Sequence, residues 1–244
     1  MATRGGPQRK GGRPGPAKSP AKSAAKPKSP AKPRAKAVPE PATVAAPPAG
    51  PFRLGAVPGA TPGKWIDTWK TRMPRTPLEL VPLLVAEQRG AFVRGEVDAA
   101  IVRLPIDRDG LHVIPLYEET TVVVCAADSH LTAADELTVE DLAGEVRIVP
   151  RDDVLGIDVP GTEPPRFAAP ATTGEAIETV AAGVGIVVVP MSLARLHHRK
   201  DVTFRPLAGA PASAVALAWP ADGTTELVDA FVGIVRGRTA NSSR

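Results

Sequence analysis

The stretch ETVAAGVGIVVVP, Glu178–Pro190, decides the fold. Its first half continues GEAIETVAAG, which reads as a helix that Thr173 can cap, because a threonine hydroxyl satisfies an orphan amide of the first turn. Gly183 then ends the helix in a conformation open to glycine, and Gly185 allows the chain a close approach to a sheet. The aliphatic run Ile186 to Val189 is a strand buried on both faces, stopped by Pro190. A helix that hands over so abruptly to a buried strand belongs to an α/β protein.

Working outward, the same alternation starts at Phe52. FRLGAV is a first strand, broken by PGATPG, and KWIDTWKTRM follows with Ile66, Trp69 and Met73 at helical spacing. PLELVPLLV is a second strand, EQRGAFVRGE a short helix ended by Gly95, and VDAAIVRL a third strand. These units imply a parallel sheet covered by helices. After the turn at Asp107 to Gly110, LHVIPLYEETTVVVCAA gives two extended runs, VEDLAG one helical turn, and EVRIVP another strand. Residues 151–170 are rich in Pro, Asp and Gly and read as a long irregular loop. MSLARLHHRK is a short helix, VTFRPL and AVALAW are strands, and ELVDAFVGIVRGR is an amphipathic closing helix. Two small α/β lobes fit this count better than one continuous sheet.

The first fifty residues follow no such pattern. They hold eleven prolines, no aromatic residue, no Leu and no Ile, so they cannot bury enough apolar area to offset chain entropy and are expected to be disordered. Arg4, Arg9, Lys10, Arg13, Lys18, Lys22, Lys26, Lys28, Lys32, Arg34 and Lys36 precede the first acid. Removing that +11 from the overall +4 leaves the remainder at −7, so the basic character belongs to the tail alone. Seven of the ten lysines lie there, and SPAK occurs at Ser19 and again at Ser29. The functional reading is salt-sensitive, non-specific contact with DNA phosphates through Arg9, Lys10, Arg13, Lys18, Lys22, Lys26, Lys28, Lys32, Arg34 and Lys36. The alternative is a solubilising linker with no partner. A disordered C-terminus, residues 238–244, is expected beyond the closing helix.

The lone Cys125 excludes an internal disulfide and reads as a small buried hydrophobe on a strand. No apolar run is long enough for a membrane helix, and no apolar segment follows the basic N-terminus as a secretory signal requires. The expected location is therefore the cytoplasm, with association to the nucleoid as an extension of the DNA reading. No phosphate-cradling glycine loop, zinc-ligand spacing or Ser-His-Asp arrangement occurs, so neither a cofactor nor a metal is expected and an enzyme is disfavoured.

Several segments, in order, resemble the effector-binding half of LysR-type transcriptional regulators. FRLGAV with the helix ending WKTRMP and then PLELV resembles its start. GEVDAAIV at Gly95 to Val102 is similar to the family's Gly-Glu-Leu-Asp segment, and PLYEETTVVVCAADSHL at Pro115 to Leu131 to the segment after it. VAAGVGIVVVPMSLA at Val180 to Ala194 resembles the second-lobe turn, and AVALAWPAD with ELVDAFVGIVRG the return to the first lobe. The resemblance implies a two-lobed, periplasmic-binding-protein-like (type 2) domain over residues 51–237, preceded by the disordered tail of residues 1–50. Its first lobe would comprise residues 51–145 plus 212–237 and its second residues 146–211. It further implies a small-molecule effector in the interlobe cleft, where free helix amides make a natural anion site, and a homodimer formed through first-lobe faces. The family's N-terminal helix-turn-helix has no counterpart in this sequence. Where the family often carries hydroxyls, this chain has Val57, Pro58 and Gly59 in the first loop and Leu83 and Leu84 in the second.

The cleft candidates are Gly59, Ala60 and Thr61 in the first loop, Arg103 at the end of the third strand, Val149 and Pro150 at the crossover, and Thr172, Thr173 and Gly174 at the second-lobe helix start. Arg103 is open to two readings: a guanidinium that forks onto an anionic ligand, or a surface arginine paired with Asp107 or Asp109. Trp65 and Trp69, four apart, suit core or dimer contact rather than ligand stacking. The leading expectation is a non-enzymatic regulator that senses a small molecule. The alternative is a dimerisation or protein-interaction module whose cleft is vestigial.

Overall fold

The computed structural model describes residues 50–222 and 224–237. Arg9 to Lys36, proposed above for nucleic-acid contact, and the C-terminal residues 238–244 lie outside them. The described residues form two sheets. The first takes β1 (Phe52–Ala56), β2 (Leu78–Pro82), β3 (Ala99–Arg103), β4 (Leu111–Glu119) and β8 (Ser213–Pro220) in the order β2-β1-β3-β8-β4. The second takes β5 (Thr121–Ala126), β6 (Val187–Pro190) and β7 (Val202–Pro206) in the order β6-β5-β7. Five helices cover them: α1 (Gly63–Arg72), α2 (Gln88–Val93), α3 (Thr173–Ala181), α4 (Met191–Leu196) and α5 (Glu226–Val235).

The expected parallel sheet is only partly parallel. β1 pairs in parallel with β2 and β3, as strand-helix-strand units require, whereas β8 runs antiparallel to both β3 and β4 and all pairing in the second sheet is antiparallel. The lobe boundary also falls earlier than expected. Thr121–Ala126 pairs with the strands of the second sheet and with none of the first, so the chain leaves the first lobe at Thr120 rather than after residue 145. Nothing in LHVIPLYEETTVVVCAA marks that break, because the chain stays extended through it. A further correction concerns EVRIVP: Val146 and Arg147 make isolated bridges to Glu163 and Ile186, and no regular strand forms.

Side-chain alternation along β1 builds two cores at once. Phe52 and Leu54 face α1 and α5, where Phe52 stacks on Trp69 at 4.7 Å between ring centroids and meets Phe231 at 5.3 Å. Trp69 is fully buried and its indole Nε1 donates to the Thr76 carbonyl at 2.9 Å, which assigns it to the core, with Trp65 packed on the rim. Val57 and the opposite face of β3 pack against Phe92 of α2. The same alternation in β5 sends Val122 and Val124 to α3 and α4, and Val123 and Cys125 to a cluster with Leu131, Leu142 and Ile186.

The opening stretch is the second-lobe turn. Gly183 has φ +83° and Gly185 φ +62°. At Gly185 the backbone runs against residue 146, so that the Ile186 amide donates to the Val146 carbonyl at 2.8 Å. A Cβ at Gly185 would overlap that carbonyl oxygen, which explains the second glycine. Val187–Pro190 is buried throughout.

Candidate functional site in the interlobe cleft

Two segments cross between the lobes, Glu119–Thr121 and the stretch from Leu207 to Ser213. They are tied together by the Thr121 hydroxyl, which donates to the Pro211 carbonyl at 2.7 Å. In front of them, the loop after β1 meets the start of α4. A Cβ at Gly59 would come within 2.9 Å of the Ser192 Cβ and would overlap its hydroxyl, so the two lobes touch at this point.

The contact divides the cleft into two compartments. The first, about 540 Å³, is lined by Gly59, Ala60 and Thr61 from the first lobe, Tyr117 to Thr120 from the crossover, and Ser192 and Arg195 from α4. Burial and then the Glu119 carboxylate push the Tyr117 phenol up, so it stays a protonated hydroxyl at neutral pH. The second, about 630 Å³, lies between Pro58 and Leu84 to Ala86 of the first lobe and Arg151 to Val154, Thr172, Thr173 and His197 of the second. Leu196 lines both.

In the second compartment, the helix cap is Thr172, one residue earlier than expected. Its hydroxyl accepts from the Glu175 amide at 3.2 Å, while the Glu175 carboxylate accepts from the Ala171 amide at 2.7 Å. Thr173 is instead buried and donates to the Asp152 carboxylate at 2.9 Å. Asp153 accepts from the Leu155 and Gly156 amides at 3.1 Å. Both acids of this wall are thereby tied to the protein. Gly174 permits the His197 ring to sit close, since a Cβ there would stand 3.1 Å from it. Val149, 40% exposed, and Pro150, buried, precede Arg151 without lining either compartment.

Arg103 is not a surface arginine paired with Asp107 or Asp109. Its side chain is 1% exposed, and Nη1 reaches the Glu119 carboxylate at 3.0 Å and the Ser213 hydroxyl. Asp107 is instead approached by Arg89, at 3.8 Å. The backbone of Arg103 is fixed by buried Gln88, whose side-chain amide donates to the Arg103 carbonyl at 2.8 Å and accepts from the Arg103 amide at 3.0 Å. Glu119, Ser192 and Arg195 escaped the sequence reading. Ser192 could have been found, because it opens a helix directly after a strand end, where α/β clefts form.

Cys125 is buried on β5, and that burial pushes its thiol up, away from the reactive thiolate. Among the described residues, no helix is long and apolar enough to cross a membrane, and no cluster of three His, Cys, Asp or Glu could hold a metal.

Two lobes with paired crossings and a cleft between strand ends define a type 2 periplasmic-binding-protein-like effector domain. A family model for the LysR substrate binding domain matches residues 45–240, and the chain belongs to that family. It is therefore an effector-binding regulatory domain of the LysR type, not an enzyme. The chain is 27% identical over 202 residues to the Hca operon transcriptional activator HcaR of Escherichia coli (strain K12), covering 77% of this chain and 68% of that protein. It is 23% identical over 179 residues to the regulator AlsR of Bacillus subtilis (strain 168), covering 69% and 59%. Among solved structures, the BenM effector-binding domain with its effector benzoate matches with a TM-score of 0.64 at 20% identity, covering 78% of this chain and 91% of that one. The reduced OxyR regulatory domain from Pseudomonas aeruginosa matches at 0.61 with 24% identity, covering 77% and 97%. The likeness to OxyR is one of fold.

Proposed function

We propose that this domain binds a small anionic effector between its lobes, in the compartment of about 630 Å³. The observation that carries this reading is the lining: apolar side chains Pro58, Leu84 and Val85 face the first turn of α3 and Arg151, while the nearby Asp152 and Asp153 are already hydrogen-bonded. An acid group at the α3 amides of Thr173 and Gly174 would gain from the positive end of the helix dipole. An apolar body would rest on Leu84 and Leu196. Gly59, Ala60 and Thr61 border the adjoining compartment, and Val149 and Pro150 support the Arg151 wall. Arg103 acts here through the crossover rather than by touching the ligand. Because BenM is described with benzoate, aromatic acids are the first compounds to try.

The test is a thermal-shift screen of aromatic acids, amino acids and sugar phosphates. A ligand at a hundred times its Kd stabilises by about 2.7 kcal/mol, which raises the Tm of a domain this size by roughly 5–11 °C. A hit that Arg151→Ala abolishes supports the site. Silence across all three classes favours the second reading, a dimerisation or protein-interaction module with a vestigial cleft. That reading draws on Leu84, which is 56% exposed where a hydroxyl would be expected.

The basic tail is proposed to touch DNA without sequence preference, since phosphate contacts position a protein but do not specify a site. The chain of residues 1–244 should shift a duplex in a gel at low salt and lose it steeply as salt rises, with log K falling by about 0.9 per phosphate neutralised for each tenfold rise in salt. A chain starting at Pro51 should not shift it, and equal binding by both would refute the tail's role. Action in the cytoplasm at the nucleoid, as a homodimer, belongs to the same reading.

A further inference from the structure

Beyond ligand binding, the most constrained polar cluster in the fold lies where the lobes join. Arg103 ends β3, Glu119 ends β4 and Ser213 begins β8, so three members of the cluster come from the first lobe at the crossovers. The fourth, Ser192, belongs to α4 of the second lobe. Its hydroxyl donates to the Glu119 carboxylate at 2.7 Å and lies 3.5 Å from Arg103 Nη2. The Arg103 and Glu119 side chains are only 1% and 9% exposed, and Arg103 Nε is buried with no partner. Through Nη1 the guanidinium holds one oxygen of the Glu119 carboxylate as well as the Ser213 hydroxyl.

We infer that Ser192 is an interlobe latch: its hydroxyl bond to Glu119 holds the second lobe closed on the first, with Arg103 fixing the acceptor. The Gly59 contact supports this, because only a residue without a Cβ lets the first-lobe loop meet Ser192 at that distance. The latch stands between the two compartments, as Ser192 lines one and Leu193, its neighbour on α4, lines the other. Opening the lobes breaks the Ser192 bond and leaves the Arg103–Glu119 pair intact within the first lobe. The device therefore uncouples lobe opening from disruption of the buried charge.

Hydrogen exchange on the full chain tests this without any ligand. The reporters are the Ala60 amide, which donates to Val57 O at 3.2 Å, and the Met191 amide, which donates to Thr120 O at 2.9 Å. Hydrogen bonds to charged groups contribute about 1.5–3 kcal/mol, so Ser192→Ala should speed exchange at both reporters by about tenfold or more. Strand centres such as Val123 and Ile101 should be unchanged. Gly59→Ala, wedging the lobes apart from the opposite side, should speed Met191 exchange similarly, and the double variant should add little. The latch is overturned if Ser192→Ala leaves both reporters unchanged, if it speeds the strands equally, or if Gly59→Ala leaves Met191 at its native rate. Because no effector is involved, this result stands apart from the outcome of the ligand screen.

Discussion

Gly185→Ala is expected to cost about 3 kcal/mol or more, with roughly 1–2 kcal/mol from forcing an alanine into left-handed backbone and the rest from displacing residue 146. The added Cβ would meet the Val146 carbonyl, a backbone group that cannot swing aside as a side-chain end can. Moving it breaks the bond from the Ile186 amide and disturbs the one from the Ile148 amide to Ile186 O, at 2.9 Å. A domain of this size loses roughly 2–4 °C of Tm per kcal/mol, so the fall should reach about 6–12 °C. Gly183→Ala provides the internal comparison. Its φ is also positive, at +83°, but an added Cβ there meets nothing within 4 Å. It should cost only the backbone term, about 1–2 kcal/mol. Equal melting points for the two variants would remove close approach as the reason for the second glycine.

The second large effect concerns the buried ion pair. Arg103→Met strands the Glu119 carboxylate in a site that is nine-tenths closed, and Glu119→Leu strands the guanidinium in turn. Each single change should cost about 3–5 kcal/mol, because an uncompensated buried charge carries its full desolvation cost. The double variant should recover most of that loss, since apolar replacement of both partners removes the charge from the interior altogether. Urea unfolding of the four proteins closes the cycle. Additive losses, rather than a large coupling between the two positions, would mean that the pair contributes little as a pair.

Much of this architecture was readable from local pattern. Apolar spacing located α1, α3 and α5, and the glycines of residues 178–190 marked the second-lobe turn. What escaped was set by distant partners. Thr172 and Thr173 are equally good caps by chemistry, and Asp152, twenty-one residues earlier in the chain than Thr173, decides between them by accepting the Thr173 hydroxyl. Arg103 could pair with Asp107 or Asp109 by nearness in sequence, but its partner is Glu119 on a strand that reaches it only through β8. EVRIVP has a strand's alternation, and it does bury Ile148, yet the segment opposite supplies only isolated bridges. Of the candidate cleft residues, the loop Gly59–Thr61 and the helix start at Thr172 and Thr173 line compartments, since strand and helix ends are legible in sequence. Glu119 is not, because its bond from Ser192 exists only once the two lobes meet.

The placement of β8 has a consequence for how the chain is made. It lies inside the first sheet, between β3 and β4, yet it follows the whole second lobe in sequence. During synthesis, β4 has no strand to pair with until residues 213–220 leave the ribosome. The second lobe, whose three strands all fall between Thr121 and Pro206, can close its own core before then. The first lobe must wait, its apolar strand faces uncovered, for a partner arriving more than a hundred residues after β3, and α5 comes later still. Ribosome stalling before residue 213 would therefore leave a finished second lobe attached to an unfinished first.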